Sequence, residues 1–162
     1  GGATEVERSA VLIGSIVGNL FSAVKIWSVF DRDDRNDVEI AELQRKGVRV
    51  LRRRDLENYL WDDEVLTKLC SVHGHPLLAA QVASKKKDLL SQAQANGIPS
   101  NDVKRISGQL YNEVKSVLDL TGCGSNATAF ARDTLAMLLT PDTSVYRELE
   151  EDVFGSQQQH CS

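Results

Sequence analysis

Two short runs rich in β-branched and aromatic residues, Val24–Phe30 and Val48–Leu51, limit most what this chain can become. Between them lie an acidic and basic turn, Asp31–Asp37, and a stretch carrying Val38, Ile40, Ala41 and Leu43 at helical spacing. Gly47 closes that stretch as a C′ residue. Strand, helix and strand within about 30 residues make a βαβ unit, which predicts parallel strands. After Asp55 no further strand is read. Helices are predicted over 56–72 with a break near Asp62, 76–95 with Pro76 in its first turn and Gly97 past its end, 101–118, 127–139 and 143–153. Ahead of the first strand, Val6, Ala10, Ile13, Val17, Leu20 and Val24 mark one helical face, with Thr4 and Glu7 in a capping-box pattern. The predicted fold class is therefore α/β: a parallel βαβ sheet followed by a helical C-terminal region. Residues 1–66 form the α/β segment, 67–154 the helical region and 155–162 a disordered tail.

Composition narrows the function classes. A chain of 162 residues, 41% apolar and 26% charged, can bury one core and is neither disordered nor a coiled coil. Cys70, Cys123 and Cys161 are widely spaced and contain no CxxC, which reads as reduced thiols in a cytoplasmic protein. The uncharged run Ala10–Val24 is shorter than the about 20 residues a span needs and follows two acids, so no membrane segment is expected. A net charge of −4 argues against coating nucleic acid by bulk charge. Residues 65–120 carry seven bases and four acids, however, and residues 141–162 five acids and one base. The middle helices are thus the better side for a polyanion. The Gly1-Gly2 start and a single methionine, Met137, predict an excerpt of a longer protein.

The chemistry gathers at the strand ends, where ligands bind in open parallel sheets. Asp31, Asp33 and Asp34 follow the first strand directly. In extended backbone Asp31 and Asp33 would point to the same side, and close carboxylates of that kind suit Mg²⁺ or Mn²⁺. The other reading is a solvated turn neutralised by Arg32 and Arg35. An EF-hand fails, since Arg35 and Asn36 stand where the loop needs an oxygen ligand and Gly. After the second strand come Arg52, Arg53 and Arg54, then Asp55 and Glu57. Glu57 could reach the same cation and the arginines could hold phosphates. Equally, Asp55 could cap a helix, Glu57 favour its positive end, and the arginines be solvated. Of Lys85, Lys86 and Lys87 only one can face inward. His73 and His75 lack a third zinc ligand, Trp27 and Trp61 read as packing, and Cys123 has no base beside it.

The strand end Val29-Phe30-Asp31-Arg32-Asp33-Asp34, followed by helix, strand and Arg54-Asp55-Leu56-Glu57-Asn58-Tyr59-Leu60, resembles the Toprim domain of OLD-family nucleases. More closely, it is similar to the Toprim-like segment behind the ATPase domain of OLD-like ATPases. The likeness covers about residues 1–66. It implies a metal-dependent nuclease with Mg²⁺ or Mn²⁺ on Asp31, Asp33 and Glu57, and a basic residue such as Lys85 to neutralise charge developing on the phosphate. It implies Arg52, Arg53 and Arg54 as phosphate contacts, a DNA or RNA substrate, and the parent protein's ATPase domain as partner. The family's first strand, with its essential glutamate, has no counterpart before Asp31, and no GxxxxGK[ST] is present. An incomplete nuclease part is therefore expected, one that cuts poorly alone and whose open sheet edge favours pairing into a homo-oligomer. The alternatives are a non-catalytic interaction module with the same fold, and a different Mg²⁺-dependent phosphoryl-transfer domain.

Overall fold

The structure, a computed structural model, describes residues 28–155. The predicted helix through Val6–Val24, residues 24–27 of the first strand, Trp27, Cys161 and the tail beyond Gly155 lie outside the described residues. The protein is mixed α/β and mostly helical, with one two-stranded parallel sheet among the described residues. Its described residues divide into two compact units, residues 28–52 with 150–155, and residues 53–149.

The first unit contains strand β1 (Ser28–Phe30), helix α1 (Asp37–Arg45) and strand β2 (Val48–Val50). The strands are parallel, with Ser28 opposite Val48 and Phe30 opposite Val50. The Leu51 N–H donates to the Phe30 carbonyl at 3.0 Å, so the ladder reaches the strand end. Asn36 starts α1 with a capping box. Its side-chain oxygen accepts from the N–H groups of Val38 and Glu39, and its own N–H donates to the Glu39 carboxylate at 2.8 Å. Gly47 ends the helix at φ +79°, and its N–H donates to the Gln44 carbonyl. Ile40 and Leu43 are the inward pair, packed with Val48, Val50 and Phe30, while Val38 and Ala41 face solvent.

The second unit is helical: α2 (Glu57–Leu60), α3 (Asp63–Val72), a 3₁₀ turn (Pro76–Leu78), α4 (Ala79–Ala95), α5 (Val103–Val117) and α6 (Ala127–Phe130). Helix α7 (Ser144–Phe154) supplies residues 144–149 to it. The break near Asp62 is present, and Asp62 caps α3 through the Glu64 N–H. The core gathers Tyr59, Trp61, Leu66, Leu69, Leu110 and Phe130, with the Phe130 ring 5.6 Å from Trp61 and 5.3 Å from Tyr111. Gly124 makes this packing possible. A Cβ there would lie 2.7 Å from the Phe130 nitrogen, and its φ is +68°. The predicted helix over 127–139 is present over 127–138, though not as one regular α-helix. After α6 the chain widens into a π turn (Ala131–Leu135) and tightens into a 3₁₀ turn (Ala136–Leu138).

Candidate functional site

Period-two alternation ends at Phe30, so the side-by-side geometry expected of Asp31 and Asp33 does not apply. Asp33 sits in a turn at φ +48°, a left-handed conformation that Asp tolerates better than most residues. Arg35 organises this turn. Its guanidinium donates to the Asp31 carbonyl at 2.6 Å and to the Asp33 carboxylate at 3.2 Å. Arg32 pairs with Asp37 at 2.9 Å. Asp31 is half-buried and Asp33 and Asp34 are exposed. The neutralised-turn reading is thus realised at Arg32 and Arg35.

The arginine run is arranged differently from the phosphate contact that the sequence suggested. In the first unit Arg52 donates through Nε to Asp152 and through Nη2 to Glu151 at 2.9 Å, and its backbone N–H donates to Asp152 at 2.9 Å. Asp152 above all, against some desolvation, holds the Arg52 guanidinium more firmly protonated than usual. In the second unit Arg53 forks onto both Glu148 oxygens, at 3.0 and 2.7 Å, and reaches Asp62 at 2.6 Å. The same guanidinium lies 4.8 Å over the Tyr59 ring. Glu148 is the largest influence raising its pKa, burial opposes it, and Asp62 adds to it. Arg54 stands 3.7 Å from Asp102. The acids of α7 and its neighbours therefore occupy the donors that a phosphate would need. Asp55, buried, accepts from the Asn58 N–H at 3.0 Å, which is the capping role.

Lys85 pairs with Glu113 at 3.0 Å, tying α4 to α5, and Lys86 pairs with Asp63 at 2.7 Å. Lys87, His73 and His75 are exposed. Cys70 is buried, and burial raises its thiol pKa. Cys123 is partly buried. Among the described residues no three or more His, Cys, Asp or Glu side chains gather as a metal-holding group. Mg²⁺ commonly keeps several waters and takes only one or two carboxylates beside a substrate phosphate. Asp31 and Asp33 offer hard oxygens of the kind such an ion takes.

Glu57 opens α2 in the second unit, and its carboxylate makes no hydrogen bond or ion pair among the described residues. It lines a largely apolar cavity of about 450 Å³ with Leu60, Trp61, Ala131 and Ala136. The indole N–H of Trp61, fully buried, has no hydrogen-bond partner. Trp61 read correctly as packing, but nothing in the sequence marked its N–H as unpaired. Among the described residues no helix is long and apolar enough to cross a membrane. No family model, curated protein or solved structure matches the chain.

Proposed function

We propose that the chain is the nuclease module of an OLD-like ATPase, a Toprim-like cytoplasmic domain that hydrolyses phosphodiester bonds with Mg²⁺ or Mn²⁺. One observation supports this reading most: a parallel strand pair whose first strand runs directly into an acidic turn at Asp31–Asp33. That is the end of a parallel sheet where ligands bind. In this reading Asp31 and Asp33 supply hard oxygens to the ion. A bound ion would polarise the scissile phosphate and lower the pKa of its water. Arg35 holds the turn in shape through Asp31 and Asp33. DNA or RNA is the proposed substrate and the parent ATPase domain the proposed partner. Arg52, Arg53 and Lys85 have carboxylate partners, so their proposed part is to hold the fold.

The test is a Mn²⁺ titration of the chain beside Asp31→Asn, Asp33→Asn and Glu57→Gln. Saturable binding, weakened at least tenfold by either Asp substitution, is expected. Equal weak binding in all four proteins removes the metal assignment. Plasmid, single-stranded DNA and RNA are then incubated in Mn²⁺ with the chain and with its full reading frame. Cleavage lost on Asp31→Ala supports the nuclease. The second reading, an interaction module without catalysis, is favoured by the paired arginine run, and absence of cleavage throughout would select it.

A further inference from the structure

We propose that Asn96-Gly97, where α4 turns toward α5, is a site of spontaneous covalent modification, at which Asn96 converts to aspartate and isoaspartate and α4 loses its C-terminal cap. The site lies within the second unit. Asparagine is a thermolabile residue, because its side-chain amide can be lost to attack by the next backbone nitrogen. That attack is easiest when the next residue has no Cβ to obstruct it. Of the asparagines in the chain, only Asn96 precedes a glycine. Asn58, Asn101 and Asn112 precede Tyr59, Asp102 and Glu113. Asn36 and Asn126 also hold their side chains in helix caps.

The structure exposes the pair and shows what restrains it. Asn96 and Gly97 are both exposed. Helix α4 ends there in a Schellman motif, with Gly97 at φ +81°. The Gly97 N–H donates to the Gln94 carbonyl at 3.0 Å, and the Ile98 N–H to the Ala93 carbonyl at 3.1 Å. The Asn96 side-chain amide donates to the Gln92 carbonyl at 2.9 Å. Both reacting groups are thus engaged while the last turn is intact. Among residues 92–97 Ala93 alone is buried, so this turn has little packing to hold it and frays at small cost. Fraying releases both groups together, and the frayed fraction sets the rate.

In the frayed turn the Gly97 nitrogen gives its proton to solvent and attacks Asn96 Cγ. The N–Cγ bond forms, the Cγ–Nδ2 bond breaks, and Nδ2 leaves as ammonia with a proton taken from solvent. One water then opens the five-membered imide. Attack at Cγ gives aspartate, and attack at the Asn96 backbone carbonyl gives isoaspartate, with the main chain running through the former side chain. In total one water enters, one ammonia leaves and one carboxylate is gained. The new charge stands at the negative end of α4, where an anion is unfavourable. Isoaspartate also lengthens the backbone by a methylene between residues 96 and 97, so the Gly97 and Ile98 bonds lose their register.

The full chain is incubated at mildly alkaline pH, and the form with the added charge is separated by anion exchange. Tandem mass spectrometry with electron-transfer fragmentation locates the change and tells aspartate from isoaspartate. Asn96 is expected to convert faster than every other asparagine, and Asn96→Gln should lose the early charge-shifted form. Ala95→Gly, which loosens the last turn and leaves the reacting pair intact, should speed conversion about twofold to fivefold, the worth of that exchange within a helix. By ¹H–¹⁵N NMR the isoaspartate form should lose hydrogen-exchange protection at the Gly97 and Ile98 amides, while Leu66 and Leu69 in α3 keep theirs. The proposal is overturned if Asn96 converts no faster than the other asparagines, if Asn96→Gln gains the charge as quickly, if Ala95→Gly leaves the rate unchanged, or if the isoaspartate form keeps protection at Ile98.

Discussion

The loops after β1 and β2 are both dense in charge, yet they resolve it in opposite ways. After β1, Arg32 and Arg35 satisfy acids no more than five residues away, and the partners Asp33 and Asp37 are exposed residues. After β2, Arg52 and Arg53 find their acids 100 and 95 residues later, on α7. A pair made within a turn orders little chain and is worth little when exposed. A forked arginine joining distant segments fixes tertiary structure, and its removal strands partly buried carboxylates. Density of charge in a sequence therefore says nothing of role until the distance to the partner is known.

The sharpest test of this contrast is Arg53→Ala. Arg53 is 25% exposed and holds two acids, so its loss should cost about 3 kcal/mol by urea unfolding. Arg53→Lys should restore less than half, because an ammonium cannot fork. A cost below about 1 kcal/mol, the worth of an exposed pair, would make the two loops equivalent. Next comes Asn36→Ala, which removes the capping box beside the acidic turn and should cost about 1 kcal/mol, read from the same unfolding midpoint.

Acid gives a smaller, graded effect. Lys68, then Thr140, hold the Asp142 carboxyl down at about 2, below its ordinary 3.8. Hydrogen bonds from Ser144 and Val145 lower Glu64 below its ordinary 4.5. Both groups are more acidic folded than unfolded, so their contribution is complete above about pH 4.5 and fades as pH falls toward 2. Urea midpoints at pH 7, 4 and 2.5 should decline in that order, and Glu64→Gln should flatten the decline. A midpoint constant over that interval would show that neither interaction persists in solution. Smallest of all, Asp33→Asn should change stability by no more than about 0.5 kcal/mol, since its pair with Arg35 is local and exposed. A larger loss would mean that the turn is structural rather than open for a ligand.

The sequence disclosed what local chemistry decides. The βαβ order, the Gly47 end of α1, the break at Asp62 and the Pro76 start all follow from residues within a few positions of one another. Ion-pair partners were hidden for the opposite reason. Arg53 finds Glu148 only because α7 packs where it does, and no spacing within residues 52–60 encodes that. Asp33 in left-handed backbone was hidden because Asp is compatible with either conformation. The π turn at 131–135 was hidden because Phe130, Ala131 and Leu135 keep apolar helical spacing throughout. The candidate site was legible as an acidic strand end, and its real neighbours, Arg35 above all, were legible only as the bland alternative.

Glu64 carries a kinetic meaning that its equilibrium role conceals. Its carboxylate accepts from the Ser144 hydroxyl and N–H and from the Val145 N–H, 80 and 81 residues away. Helix α7 thus receives its first-turn cap from a segment separated from it by α4, α5 and α6. Closing so long a loop costs least once those helices have condensed, so the cap is expected to form after the folding barrier. Interactions made after the barrier govern how long the native state survives, not how quickly it is reached. The Glu64 cap is therefore a clasp on lifetime, placed where the last helix joins a body that has already formed.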